Sequence, residues 1–297
     1  MRAITGQLLA RERAHGCIFS GLYPFNHAFY RKFGYELAVS EKTYTLPVRL
    51  LKPYAGQMQA RLLQPEDDRS FLKPVFDAFI SRYNLAVACD EKKLAAWTRS
   101  EPYARNEYTY ALYNADAPVA CLHFEKLVRN GEGVLSVKNF AFTTEEGFRM
   151  LLGFLYRFDA EMHTLEIKAS DDIPLAALID TPYEVQCSVG NPYMLRALNT
   201  EEVLKAMRRG DFGRFVIEVA DDFLPDNAGR WLVEPGKAEP TQLSADLRMS
   251  VQAFSQLVCG YTDLASARFR RDVEILTENP APARAFAKKP LYVGYYY

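Results

Sequence analysis

The sequence predicts a mixed α+β protein, and three observations point to that class. Stretches with helical spacing alternate with stretches of strand alternation along the whole chain. A compact strand, short helix, glycine, strand unit lies between Cys17 and Val39. Of the 297 residues 49% are hydrophobic, enough for real cores in about two domains, yet no apolar run approaches the ~20 residues that span a bilayer.

The elements follow in order. Met1–Gly16 reads as a helix with Ile4, Leu8 and Leu9 on one face and Gly16 as its stop. The run Cys17-Ile18-Phe19 reads as a buried strand, and Pro24 ends it because its ring nitrogen has no N–H to donate. Asn26 is the expected N-cap of a short helix, and Gly34 suits the left-handed position past its end, before a strand over Tyr35–Val39. Strand alternation from Lys42 to Leu51 gives way to turn residues at Lys52–Gly56, which predicts a domain boundary.

A second beginning follows. Ala60–Leu63 reads as a strand, and Gln64-Pro65-Glu66-Asp67-Asp68 as the start of a helix carrying Leu72, Val75, Phe76, Phe79 and Ile80 at helical spacing. A helix near Lys92–Thr98, strands near Tyr108–Tyr113, Val119–Val128 and Val134–Phe142, helix Glu145–Glu161 and strand Thr164–Ala169 complete this part. Thereafter the capping-box pattern Asn199-Thr200-Glu201-Glu202 opens a helix over Thr200–Arg208. Strands are expected at Gly213–Val219, Arg230–Glu234 and Thr241–Leu247, then an amphipathic helix within Met249–Gly260. Pro290–Tyr297 is too aromatic for a disordered tail and reads as a docked strand.

Charge and cysteine usage exclude several classes. The net charge is −1 with 36 basic and 37 acidic residues interleaved, so no nucleic-acid-binding surface is expected, and Arg268-Phe269-Arg270-Arg271 reads as a solvated helix face. The chain opens with no signal-peptide pattern, from which a cytoplasmic protein is expected. Cys17, Cys89, Cys121, Cys187 and Cys259 are odd in number and widely spaced in mostly apolar surroundings, and read as small buried hydrophobes. His15, His27, His123 and His163 show neither metal-ligand spacing nor a triad, so no metal is expected.

The segment Pro24-Phe25-Asn26-His27-Ala28-Phe29-Tyr30-Arg31-Lys32-Phe33-Gly34-Tyr35-Glu36-Leu37-Ala38 resembles the signature that closes a GNAT-type N-acetyltransferase domain, most closely in the Eis-like branch. That resemblance implies acetyl-CoA as co-substrate and a small-molecule or peptide amine as acceptor, and is compatible with a homo-oligomer. It makes Tyr30 the candidate general acid. Acyl transfer from a thioester expels a thiolate whose conjugate acid, if cysteine-like, has a pKa near ~8.5; a phenol near ~10 can hydrogen-bond that charge and deliver a proton. By residue count alone, with 18 Tyr and 19 Phe, Tyr30 would be a packing residue.

The resemblance extends along the chain and implies three domains: residues 1–55 as the C-terminal half of a catalytic GNAT domain, 56–192 as a second, non-catalytic GNAT domain, and 193–297 as a sterol-carrier-like domain. The Arg- and Gly-rich loop that would hold the coenzyme pyrophosphate at a helix N-terminus would lie upstream of Met1. An N-terminally truncated chain, inactive by itself, is therefore expected, whether through a misplaced gene start, trimming or degeneration. In the second domain the corresponding turn is Thr143-Thr144-Glu145-Glu146-Gly147, and two carboxylates beside a pyrophosphate repel it by ~1 kcal/mol per close pair even in water. Eis-like enzymes end in an aromatic residue whose α-carboxylate is the proposed general base, here Tyr297. Unshifted, a carboxyl near ~3.5 is a poor base for an amine near ~10.4; burial would close that gap from both sides. The alternative class is a non-enzymatic scaffold or apolar-ligand-binding protein that uses the sterol-carrier-like domain, identified on Leu247, Met249, Phe254, Leu257 and Gly260.

Overall fold

The computed structural model describes residues 2–208 and 210–294. The chain opens with α1 (Arg2–Ala14), β1 (Phe19–Leu22), α2 (His27–Arg31), β2 (Glu36–Pro47) and β3 (Gln59–Leu62). Next come α3 (Lys73–Ile80), α4 (Glu91–Trp97), α5 (Pro102–Arg105), β4 (Glu107–Asn114), β5 (Ala117–Arg129) and β6 (Glu132–Phe142). These lead to α6 (Glu145–Tyr156), β7 (Thr164–Ser170), β8 (Gln186–Ala197) and α7 (Thr200–Lys205). The last stretch holds β9 (Phe215–Ala220), β10 (Gly229–Glu234), β11 (Lys237–Pro240), β12 (Leu247–Ser250), α8 (Val251–Cys259), α9 (Leu264–Ala267), β13 (Val273–Ile275) and α10 (Ala281–Ala285). The architecture is mixed α and β, as the sequence predicts, and it divides into two compact units.

One unit holds residues 41–190. Its sheet runs β2-β7-β6-β5-β4-β3, antiparallel throughout except for the parallel pair β6–β7. That pair is joined over only Val134–Val137 and Thr164–Ile167; beyond it the two strands part. The hairpin turns take left-handed residues, Ala115 at φ 51° and Asn130 at φ 53°. On the sheet lie α3, burying Val75, Phe76 and Phe79, and α6, burying Phe148, Leu151, Leu152, Phe154 and Leu155. Gly153 is required for space: a Cβ there would stand 2.1 Å from the Tyr54 carbonyl oxygen.

Two expectations fail in this unit. The strand expected to reach Leu51 ends at Pro47, and Val48–Tyr54 is a 3-10 helix, since Pro47 and Pro53 bring no N–H to a ladder. The helix expected to open at Gln64-Pro65 begins at Lys73. Asp67 accepts from the Gln64 N–H at 2.9 Å and Asp68 from the Ser70 N–H at 2.9 Å, so both carboxylates make turns instead of capping a helix.

The other unit holds residues 2–40 and 191–293. It contains strands in the order β1-β8-β2 and a five-stranded sheet, β11-β10-β9-β12-β13, in which only β9 and β12 run parallel. The core of that sheet is filled by Phe212, Phe215, Trp231, Phe254, Leu257 and Phe286. A second cluster joins Leu9, Phe33, Tyr35, Met194 and Leu198. On α1 only Leu9 is buried; Ile4 and Leu8 are 66% and 52% exposed, so the expected apolar face is mostly open. The strand expected at Cys17–Phe19 starts at Phe19 instead. Cys17 is exposed, as is Cys187, against the expectation that all five thiols are buried.

Residues 241–246 form no strand. The Asp246 backbone still bonds the Val216 carbonyl and the Leu276 N–H at 2.8 Å each, and its carboxylate adds the Val216 N–H at 2.7 Å and the Thr277 hydroxyl at 2.6 Å, so regular pairing begins only at Leu247. Strand β8 has no counterpart in the sequence reading, because Gly190 and Pro192 break its pattern. The arginines at 268–271 follow α9 and are not a solvated face throughout: Arg270 bonds Asp272 at 2.7 Å and Gln256 at 2.9 Å.

Candidate active site around Tyr30

The short helix α2 is too brief to be stable alone, so its neighbours must fix it. Its N-cap is Asn26, whose Oδ1 accepts from the Phe29 N–H at 3.0 Å. His27 Nε2 lies 3.1 Å from the Asn191 carbonyl oxygen on β8. At the other end Arg31 grips buried Glu36 through Nε at 3.0 Å and Nη2 at 2.7 Å, and Gln252 Nε2 donates to the Arg31 carbonyl at 3.2 Å. Gly34 then turns the chain at φ +83°, the left-handed conformation its place after the helix predicts.

This clamp presents Tyr30, half-buried, inside an aromatic cluster. Its ring meets Phe25 and Phe29 edge-on at 5.3 and 5.2 Å and Tyr35 at 6.0 Å. The Tyr30 hydroxyl makes no hydrogen bond among the described residues, in contrast to Tyr35, whose hydroxyl lies 2.8 Å from Ser20 Oγ on β1. Burial pushes the Tyr35 phenol above its ordinary value, against the pull of the Ser20 hydrogen bond and Arg196, with Glu12 and Tyr30 adding to the rise. A tyrosine on a fixed helix whose hydroxyl is unbonded among the described residues can donate to a ligand, whereas the Tyr35 hydroxyl is already shared with Ser20.

Behind Tyr30 stands a polar network that sequence reasoning missed. Arg196 of β8 is wholly buried; it donates to the Phe33 carbonyl and pairs with Asp221 at 2.5 Å. Asp221 also takes the Phe223 and Leu224 N–H groups at 3.1 and 2.9 Å and the Asn227 side-chain amide at 3.0 Å. Asn227 in turn accepts from the Thr200 N–H at 2.7 Å. The signal was present: Met194-Leu195-Arg196-Ala197-Leu198 sets one arginine in an apolar strand, which requires a buried partner.

In the other unit, the α6 N-terminus carries Glu145 and Glu146, capped by Thr144, which accepts from the Gly147 N–H at 3.2 Å. Where β6 and β7 part, the Arg82 guanidinium lies 4.2 Å from the Phe142 ring centre, and the Tyr83 hydroxyl takes a 3.0 Å bond from Ser170. A cleft of about 720 Å³ is lined by Asp67, Arg69, Glu91, Arg99 and Tyr103 among others, but its arginines are engaged: Arg69 by the carbonyls of Gln64 and Pro65, Arg99 by Glu107. Among the described residues no group of three or more His, Cys, Asp or Glu is placed to hold a metal. No helix there is long and apolar enough to cross a membrane. Tyr297 lies outside the described residues.

Residues 90–197 match the family described as an acetyltransferase (GNAT) domain, and residues 200–293 the family described as a sterol carrier protein domain. A GCN5-related N-acetyltransferase from Anabaena variabilis has the same fold, with TM-score 0.84 and 18% identity over 99% of this chain and 76% of that one. Eis1 from Mycobacterium abscessus follows at TM-score 0.80 and 21% identity, over 99% of this chain and 78% of that one. A GCN5-related N-acetyltransferase from Kribbella flavida aligns at TM-score 0.76 and 22% identity, over 99% and 74%. No curated protein matches the sequence. The fold is thus a mixed α/β GNAT fold with a sterol-carrier-like domain.

Proposed function

We propose that the protein is an Eis-like N-acetyltransferase in which acetyl passes from acetyl-CoA directly to a small-molecule or peptide amine. Tyr30 is the general acid for the departing thiolate, and the Tyr297 α-carboxylate is the base. The observation that carries this reading is the clamped α2 helix, which spends its polar groups on its surroundings and leaves the Tyr30 hydroxyl unbonded among the described residues. For the base, the support is that Leu291 and Val293 are buried, so the segment leading to the terminus is docked.

The domain division proposed with it is 1–55, 56–192 and 193–297, the middle part being a second, non-catalytic GNAT domain. The 297 residues alone are expected to be inactive. Among the described residues no helix N-terminus follows a Gly- and Arg-rich turn for the coenzyme phosphates, and that of α6 carries two carboxylates. Apolar-ligand binding is the weaker reading, because Phe215, Phe254 and Phe286 fill the core of the sterol-carrier-like region. The test is thiol release from acetyl-CoA with a panel of amines, for the 297 residues and for the chain with any coding sequence preceding Met1. Tyr30→Phe should lower turnover by roughly 10² to 10⁴.

A further inference from the structure

We infer that Arg196 and Asp221 are positioning residues for Tyr30, so that the sterol-carrier-like region sets the geometry of the acetyl-transfer site; this rests on the reading of Tyr30 given above. Arg196 is the sole arginine among the described residues whose side chain is fully excluded from water, and its two terminal nitrogens go to separate places. One bonds the Phe33 carbonyl, at the turn that ends α2. The other bonds Asp221, which follows β9. A buried arginine split in this way holds two backbone segments at a fixed separation, because its guanidinium is planar and its donors cannot be redirected independently.

Everything around the pair keeps it from moving. Asp221 is fixed by two backbone N–H groups and the Asn227 amide, and Asn227 is tied to Thr200 and to the Ala197 carbonyl at 3.0 Å. The guanidinium lies 5.7 Å from the centre of the Phe223 ring, which in turn packs edge-on against Phe33 at 5.1 Å. Gly34 admits it: any Cβ at 34 would stand 1.5 Å from Arg196 Nη1. Phe33 and Gly34 are three and four residues from Tyr30, and the Tyr35 N–H also bonds the Tyr30 carbonyl at 3.4 Å, so displacement of the turn carries to Tyr30. Packing alone could be met by apolar residues; a fork that reads a carbonyl and a carboxylate at once fixes position.

The experiment places 3-fluorotyrosine at position 30 and records its fluorine resonance in the parent, in Arg196→Lys, in the double variant Arg196→Met/Asp221→Leu, and in the exposed-pair control Lys205→Ala. Trp231 fluorescence and the unfolding midpoint report folding of the same unit. Arg196→Lys keeps a charge beside Asp221 but cannot reach both partners, and the double variant removes the charges together. In the folded variants the fluorine resonance should shift or split, while Lys205→Ala matches the parent. Where the parent acetylates amines, kcat should fall on the order of 10²-fold with little change in KM, as expected for a misplaced catalytic group. A resonance at the parent position in folded Arg196→Lys overturns the inference, whether or not the double variant folds. So does a shifted resonance with unchanged kcat. If neither the 297 residues nor the chain with any coding sequence preceding Met1 acetylates an amine, the acetyltransferase reading fails while the fluorine result still decides the positioning claim.

Discussion

Replacing Gly34 by alanine should destabilise the unit of residues 2–40 and 191–293 far more than the same change at Gly16. Both glycines sit at φ +83°, so both alanines meet the left-handed penalty of roughly 1–2 kcal/mol. They differ in what the new methyl meets. At Gly16 nothing lies within 4 Å, whereas at Gly34 the Cβ would stand 1.5 Å from Arg196 Nη1 and 3.1 Å from Val251 Cγ1. The guanidinium is wholly buried and bonded on both sides, so it cannot swing into solvent; displacing it breaks a buried pair, at roughly 3–5 kcal/mol. Gly34→Ala should therefore cost about 4 kcal/mol or more and Gly16→Ala about 1–2. The chain's two tryptophans, Trp97 and Trp231, fall in different units, so urea unfolding in a Trp97→Phe background follows Trp231 alone. Equal destabilisation by the two alanines would refute the account of the turn.

Two further outcomes follow from burial. His123 has its pKa lowered by desolvation, partly offset by Glu107 and Glu125, so its neutral form is favoured on folding. A lowered histidine is protonated more readily in the unfolded chain; the unit of residues 41–190 should lose stability as pH falls from ~6.5 to the lower folded value, then level off, and His123→Phe should flatten that slope in pH-dependent urea unfolding followed by Trp97. Among the thiols, exposed Cys17 and Cys187 should react promptly with a disulfide reagent in the native protein, while Cys89, Cys121 and Cys259 wait for denaturant, burial having pushed Cys121 and Cys259 each up to about 12. Five prompt thiols in the native state would contradict that division.

What the sequence reveals and what it hides divide along physical lines. The Asn26 cap and the Gly34 turn were legible because each is a local need met by a local residue type: a side-chain oxygen for an orphan N–H, and a residue without Cβ for positive φ. The strands β4, β5 and β6 were legible because alternation and turn residues bounded them. The Arg196–Asp221 pair was not, since its partners are 25 residues apart and only tertiary structure brings them together. Burial misled as well: Ile4 and Leu8 have the spacing of a core face, yet only Leu9 meets the core. The carboxylates Asp67 and Asp68 looked like helix residues but serve turns, where a short side chain competes for nearby N–H groups, while Asp246 uses its carboxylate on Val216, 30 residues away.

The most direct measurement is the turnover of Tyr30→Phe against the parent, in whichever form of the protein acetylates an amine, with Trp231 fluorescence confirming that both are folded. Loss of one hydroxyl removes the proposed acid and leaves the ring contacts with Phe25, Phe29 and Tyr35 in place. The account predicts a fall in kcat of roughly 10² to 10⁴ with the unfolding midpoint unchanged. Turnover close to the parent's would contradict it and leave Tyr30 as one more ring in the aromatic cluster.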